Sequence, residues 1–202
     1  MMSHAYSKLK TLLSVFDGVP LLLIRLYLAP VLIQAGWSKV LGFTDTVAWF
    51  GNQEWGLGLP LPTLLVILTI GAELVGGVMI LLGLFTRLVS IPLSFTMLVA
   101  MVTVHAANGW LAIADPSSWL ADGTLLYDKS VMASADKLEM AKAILQEHGQ
   151  YDWLTQSGKF VILNNGIEFA ATYFLMLLVL LFYGGGKYVS VDYLLSRQKP
   201  AQ

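Results

Sequence analysis

The chain has 202 residues, of which 56% are hydrophobic and only 12% charged, against about 25% charged in a soluble domain. With a mean hydropathy of +0.69, this composition excludes intrinsic disorder and an ordinary soluble globule, and points to an integral membrane protein. A net charge of −1, from 12 basic and 13 acidic residues, offers no basic surface to nucleic acid. The complete lack of cysteine removes disulfide relays, thiolate nucleophiles, Cys-ligated zinc or iron–sulfur sites and c-type haem attachment.

In chain order, Leu9, Leu12, Leu13 and Phe16 recur at i, i+3, i+4 and i+7 with Lys8 and Lys10 opposite. This pattern predicts a short amphipathic helix lying in the membrane interface. Four apolar runs follow, over residues 20–41, 62–84, 88–110 and 166–184, each near the ~20 residues that cross a bilayer as a helix. The first is read as a span rather than a signal peptide, because Arg25 interrupts its core and no small-residue cleavage site follows. Pro30 lies mid-span and frees a backbone carbonyl. An insert, 111–164, separates the third and fourth spans. Within it Trp110, Leu111, Ile113, Trp119 and Leu120 read as an interfacial lid. Residues 134–148 read as a soluble helix with Ser134 as N-cap and Gly149 as its stop. The predicted fold is therefore all-α: a single membrane domain over 1–202, with four transmembrane helices, an N-terminal interfacial helix and an extracytoplasmic insert carrying a short helix.

Orientation follows from basic residues near the span ends. Lys8, Lys10, Arg87, Lys187, Arg197 and Lys199 fall on one side, whereas the 43–61 loop has no Lys or Arg and the insert has four Lys against seven acids. Both termini are expected to be cytoplasmic, with Arg87 a turn residue that sets topology.

An ionisable side chain inside a span costs roughly 2.5–3.5 kcal/mol on insertion scales. Arg25, Glu73, His105 and Glu168 lie inside, and Lys39 lies near a span end. Arg25 reads as structural, its long side chain snorkelling to the inner interface. Lys39 and Glu168 have opposite sign at similar depth and are expected to pair. Glu73 is flanked by Ala72, Gly76 and Gly77, small residues that let another helix approach. Lys39, Glu73, His105, Asn108, Asn165 and Glu168 are expected to share one polar pocket beneath the insert, with Glu73, His105 and Glu168 as candidate catalytic groups. Only His105 lies at membrane depth among the three histidines, so bis-His haem is excluded within one chain. Met97, Met101 and His105 form a soft-ligand stripe that copper could use, yet no metal site is assigned. Gly56-x-Gly58 is followed by Leu-Pro and is not a dinucleotide fingerprint.

These motifs resemble the DoxX family. The resemblance rests on Arg25 with Gly36-Trp37-Ser38-Lys39, on Gly71-Ala-Glu73-Leu-Val-Gly76-Gly77, and on Leu82-Gly83-Leu84-Phe85-Thr86-Arg87. It covers residues 20–110 and 165–190; the insert is longer than in short members of the family. The resemblance implies a four-helix protein of a bacterial inner membrane. Relatives include the membrane subunit of a thiosulfate:quinone oxidoreductase, proteins linked to membrane redox complexes, and proteins that accompany copper-binding modified peptides. The expected function is the membrane subunit of a redox complex, with an intramembrane pocket for a quinone or a small sulfur or redox ligand and no intrinsic cofactor. The competing expectation is a non-enzymatic anchor, or a peptide- or metal-handling partner protein whose insert docks an extracytoplasmic protein. A homo-oligomer is compatible with either, and nucleic acid with neither.

Overall fold

The computed structural model describes residues 2–197, with side chains described from Tyr6 onward. Among these residues the architecture is helical, and the only β-type pairings are two isolated bridges, Ile113 with Leu163 and Asp122 with Tyr127. The helices are α1 (Met2–Val15), α2 (Val19–Leu41), α3 (Phe43–Gly51), α4 (Pro62–Leu82), α5 (Thr86–Ala100), α6 (Lys129–Met132), α7 (Ser134–His148), α8 (Tyr151–Leu154), α9 (Glu168–Tyr183) and α10 (Val191–Arg197). A π-helical turn, Met101–His105, and a 3-10 turn, Ala106–Asn108, continue α5.

Contacts divide the chain into two compact units. One is the chain up to Val99 together with the stretch from Thr172 onward; the other is Ala100–Ala171.

The first unit holds the apolar helices. Leu28 and Leu32 of α2, Ile80 of α4, Leu93 of α5, and Leu177 and Leu180 of α9 form its buried core. Outward-facing leucines, isoleucines and phenylalanines, such as Leu23, Ile67, Leu68, Ile91, Phe95, Leu175 and Phe182, are more than half exposed. Water would not tolerate such a continuous apolar belt; lipid does. This is a membrane protein that sits in the bilayer.

Three helical stretches are long and apolar enough to cross it, Val19–Leu41, Pro62–Leu82 and Thr86–Asn108. The fourth expected span is shorter than its apolar run: α9 has 16 residues, about 24 Å at 1.5 Å per residue. Its start is delayed because Asn165 adopts a left-handed conformation, and it stops where Gly184 does the same. Pro30 lies inside α2 without ending it. The 43–61 segment, read from sequence as a loop, contains α3.

Glycines set the spacing of α2, α4 and α5. A Cβ on Gly36 would lie 2.8 Å from Leu74 Cγ, one on Gly77 2.8 Å from Ile33 Cγ1, and one on Gly76 3.2 Å from Leu93 Cδ1. Gly36 and Gly77 thus seat α2 on α4 from both sides, while Gly76 faces α5. This is the small-residue packing that apolar helices use where burial from water cannot drive them together.

The second unit has its own small core of Leu111, Ala121 and Val131, against which Trp110, Ala114 and Leu120 pack. Its two ends are stitched by backbone hydrogen bonds, from Ala114 N–H to Ile162 O, from Asn164 and Asn165 N–H to Ala112 O, from Gly166 N–H to Leu111 O and from Glu168 N–H to Trp110 O. Within it α7 spans the expected residues and stops at Gly149. Its N-cap differs from expectation. Ser134 is the first helical residue and its hydroxyl donates back to Val131 O at 2.6 Å. The short helix α6 already runs into this position, so no free amide is left for Ser134 to cap. The side-chain cap belongs instead to Asp128, which accepts from the Ser130 and Val131 amides at the start of α6.

Candidate functional site

In the first unit the buried charges occupy two places. At mid-height of α4, Glu73 is nearly buried, its side chain 5% exposed. Lys39 near the end of α2 donates to both carboxylate oxygens, at 2.9 Å to Oε1 and 2.7 Å to Oε2. The ammonium also approaches Ala35 O at 3.4 Å. The close approach at Gly36 makes this reach feasible, since Glu73 Cβ lies 3.1 Å from where a Gly36 Cβ would stand. Lys39 therefore takes Glu73 as its ion-pair partner, which corrects the expected pairing with Glu168; the glycine-seated helix contact brings the two together. The Lys39 side chain is 26% exposed, so one face of the pair is open while the carboxylate is enclosed.

The second place is a knot around Arg25. The guanidinium does not snorkel to the interface as expected; the residue is fully buried. Its five N–H groups all end on backbone carbonyls: Nε on Ile80, Nη1 on Gly185 and Tyr188, and Nη2 on Leu81 and Val189, over 2.7–3.2 Å. Ile80 and Leu81 end α4, where carbonyls have no partner within the helix. Gly83 adopts φ 63° there, and a Cβ on it would lie 2.7 Å from Arg25 Cζ. Asp192 completes the knot from α10, accepting from the Phe85 and Thr86 amides at 2.7 and 2.8 Å where α5 begins. Phe85 and Val189 both hold positive φ, a strained state for a β-branched residue such as Val189, and each is bonded to this network. Sequence reasoning placed Arg25 but missed Asp192, whose position in the C-terminal segment carries no local signal of a partner 106 residues away.

In the second unit the amide and imidazole groups converge on one carbonyl. His105 Nδ1 lies 2.9 Å from Asn165 O, and Asn108 Nδ2 donates to the same oxygen at 3.2 Å. A carbonyl only accepts, so Nδ1 carries the proton in this hydrogen bond. Asn164 Nδ2 donates to Asn108 O and Leu111 O, and Glu168 Oε2 accepts from Ala112 N–H at 2.9 Å. The π-turn that ends at His105 is the kind of helix irregularity that often accompanies functional positions.

Of the six residues expected in one pocket, the structure pairs Lys39 with Glu73 in the first unit. In the second it joins His105 and Asn108 through Asn165, with Glu168 at the neighbouring backbone clasp. Among the described residues no three His, Asp or Glu side chains converge at metal-ligating distance. Arg87 lines a hollow between the start of α5 and the end of α9.

Residues 20–106 match the family model described as DoxX. A Bacillus subtilis (strain 168) protein named "Putative oxidoreductase CatD" is 31% identical over 94 residues, a stretch that covers 46% of this chain and 66% of that protein. No solved structure matches.

Proposed function

We propose, from the match of residues 20–106 to the DoxX family model, that this chain is a bacterial inner-membrane subunit of a redox complex, with both termini cytoplasmic and α9 completing a fourth crossing. The site we assign to it is the Lys39–Glu73 pair, which would receive a quinone headgroup. The observation that carries the reading is the pair itself: an enclosed carboxylate bonded to a partly open ammonium, set in apolar helices. A quinone carbonyl needs a donor, which Lys39 offers on its open side. Reduction to the quinol needs protons, and a buried carboxylate–ammonium pair can pass them without placing a net charge in lipid. The isoprenoid tail would lie against the apolar belt. Electrons would come from a partner's redox centre, because this chain has no cysteine with which to hold a cluster. The similarity to a protein named as an oxidoreductase supports the same class.

The test is a quinone titration of the purified chain in lipid nanodiscs. Saturable binding that falls at least tenfold in Glu73→Gln and in the doubly neutral Lys39→Met, Glu73→Gln variant is expected. A wild-type protein that binds no quinone sinks the proposal.

A second reading is favoured by one observation. The Ala100–Ala171 unit has its own core yet leaves Trp119, Leu125, Tyr127, Met140 and Trp153 about two-thirds exposed. Under this reading the insert docks an extracytoplasmic protein and the membrane helices are its anchor. Quinone binding unaffected by Glu73→Gln, together with loss of a co-purifying partner on exchange of Trp119 and Trp153 for serine, would favour it.

A further inference from the structure

An open hollow of about 440 Å³ lies where α9 ends and α5 begins, and α10 forms its third wall. Its volume falls in the range of small-molecule sites. Arg87 reaches into it. Among the described residues the Arg87 guanidinium has neither an ion-pair nor a hydrogen-bond partner, unlike Arg25, Lys39 and Lys187, each of which is bonded. Gly184 adopts φ 76°, and a Cβ there would meet Arg87 Nε at 3.3 Å, so the bare glycine backbone lets the guanidinium lie along the wall. Three hydroxyl-bearing residues line the same space, Tyr183, Tyr193 and Ser196; the Ser196 hydroxyl already donates to Tyr193 O and is left only to accept. A second cation is tethered to its rim, since Arg197 sits 5.6 Å from the centre of the Tyr193 ring.

The hollow also contains a carboxylate, Asp192. Both of its oxygens are occupied by the Phe85 and Thr86 amides, so it is turned towards the start of α5. Arg87 and Asp192 are the lining charges, and Arg197 beside Tyr193 at the rim adds a further positive one. Its rim is apolar: Phe85 is 54%, Leu88 64% and Tyr183 71% exposed, and all three sit at the ends of bilayer helices, where acyl chains meet headgroups.

We propose that this hollow binds the phosphate of an anionic phospholipid, with the Arg87 guanidinium on the phosphate oxygens, the tyrosine and serine hydroxyls around the headgroup, and the acyl chains along Phe85 and Leu88. A guanidinium fork matches phosphate geometry with two parallel hydrogen bonds. Basic pockets between membrane helices are where lipid headgroups of this class lodge. The juxtaposition of a partnerless arginine, three hydroxyls and an apolar rim distinguishes a lipid from a water-soluble phosphate, which would gain nothing from the rim. The proposal is independent of the quinone reading, since the two sites share no residue.

The experiment uses the full chain, delipidated in detergent, with phosphatidylglycerol, phosphatidylcholine and inorganic phosphate as probes. Native mass spectrometry reads retained lipid, and thermal melting reads stabilisation. Wild type is expected to retain phosphatidylglycerol and to melt several degrees higher with it, but not with phosphatidylcholine or phosphate. Arg87→Gln should weaken retention about fivefold or more, the equivalent of about 1 kcal/mol per interfacial cation. If Arg87→Gln does not fold, Arg87→Lys carries the test: the fork is lost while the charge stays, and retention should still drop. Equal retention of phosphatidylcholine, displacement of phosphatidylglycerol by millimolar phosphate alone, or undiminished retention in both Arg87 variants would overturn the proposal.

Discussion

At the scale of single residues, the two polar nodes of the first unit differ in what they can lose. Arg25 satisfies all five of its donors on main-chain carbonyls, so no side chain can be exchanged to compensate for its removal. Arg25→Met should destabilise the protein by about 3–5 kcal/mol, because buried carbonyls lose charged hydrogen bonds. Arg25→Lys should recover only part of that, having three donors for five acceptors; thermal melting in detergent measures both. The Lys39–Glu73 pair is reciprocal. Lys39→Met or Glu73→Gln alone strands a partner in low dielectric, whereas the double variant strands none. A double-mutant cycle should give a coupling of about 1–3 kcal/mol; additive losses would mean that the pair does not form. The charges themselves were legible in the sequence as intramembrane ionisable residues, but their pairing was not. Depth alone pointed Lys39 to Glu168, and only the glycine contact at Gly36 shows that α4 is the helix within reach.

Among elements, the glycine seats between α2 and α4 make a sharp test. Gly36→Ala would press a methyl against both Leu74 Cγ and the Leu74 backbone nitrogen, 3.0 Å away. A backbone atom cannot swing aside as a side chain can, so the helices must separate, at about 1–3 kcal/mol. Gly71→Ala, on α4 and with nothing within 4 Å of its Cβ position, should not lower the melting temperature. In the second unit the Asp128 cap carries a pH dependence. The Ser130 hydroxyl, and after it the Val131 and Ser130 amides, hold its carboxyl below the usual carboxylate range. A depressed folded value means that the cap's stabilisation is complete above the unfolded aspartate value of about 3.9 and is lost as pH falls through the lower folded value. Amide protection at Ser130 and Val131, relative to the intrinsic exchange rate at each pH, should therefore fall on acidification through that window. Asp128→Asn, which keeps the cap but not the charge, should flatten the response there. The expectation for α7 located the helix correctly and its cap wrongly. Periodicity reports which residues turn together, whereas a cap depends on whether the preceding residues are already helical.

For the whole molecule, the naturally cysteine-free sequence makes sidedness directly measurable. With Met140 exposed on α7, Met140→Cys in intact cells should react with a membrane-impermeant maleimide added from outside, and a cysteine at Ser7 should react only after lysis; the reverse pattern would invert the proposed topology. The membrane class and the three long helices were readable because apolar length is a one-dimensional property. The knot at Asp192 was not, because it depends on residues far apart in the chain. The motifs that carry the family resemblance acquire reasons here. Gly36, Gly76 and Gly77 space the helices, Lys39 meets Glu73, and Gly83 makes room for Arg25.

Arg25 also sets an order for biogenesis. When α2 and α4 have been made, its Nε and one Nη2 proton can already find Ile80 and Leu81, but its other partners, Gly185, Tyr188 and Val189, are made about a hundred residues after α4. Until α9 and the segment after it are made and fold back, a charged group sits in the membrane with its hydrogen bonds incomplete. A nascent chain stalled or truncated after α5 would carry every motif of the family match and still lack the carbonyls of Gly185, Tyr188 and Val189 that satisfy its most buried cation.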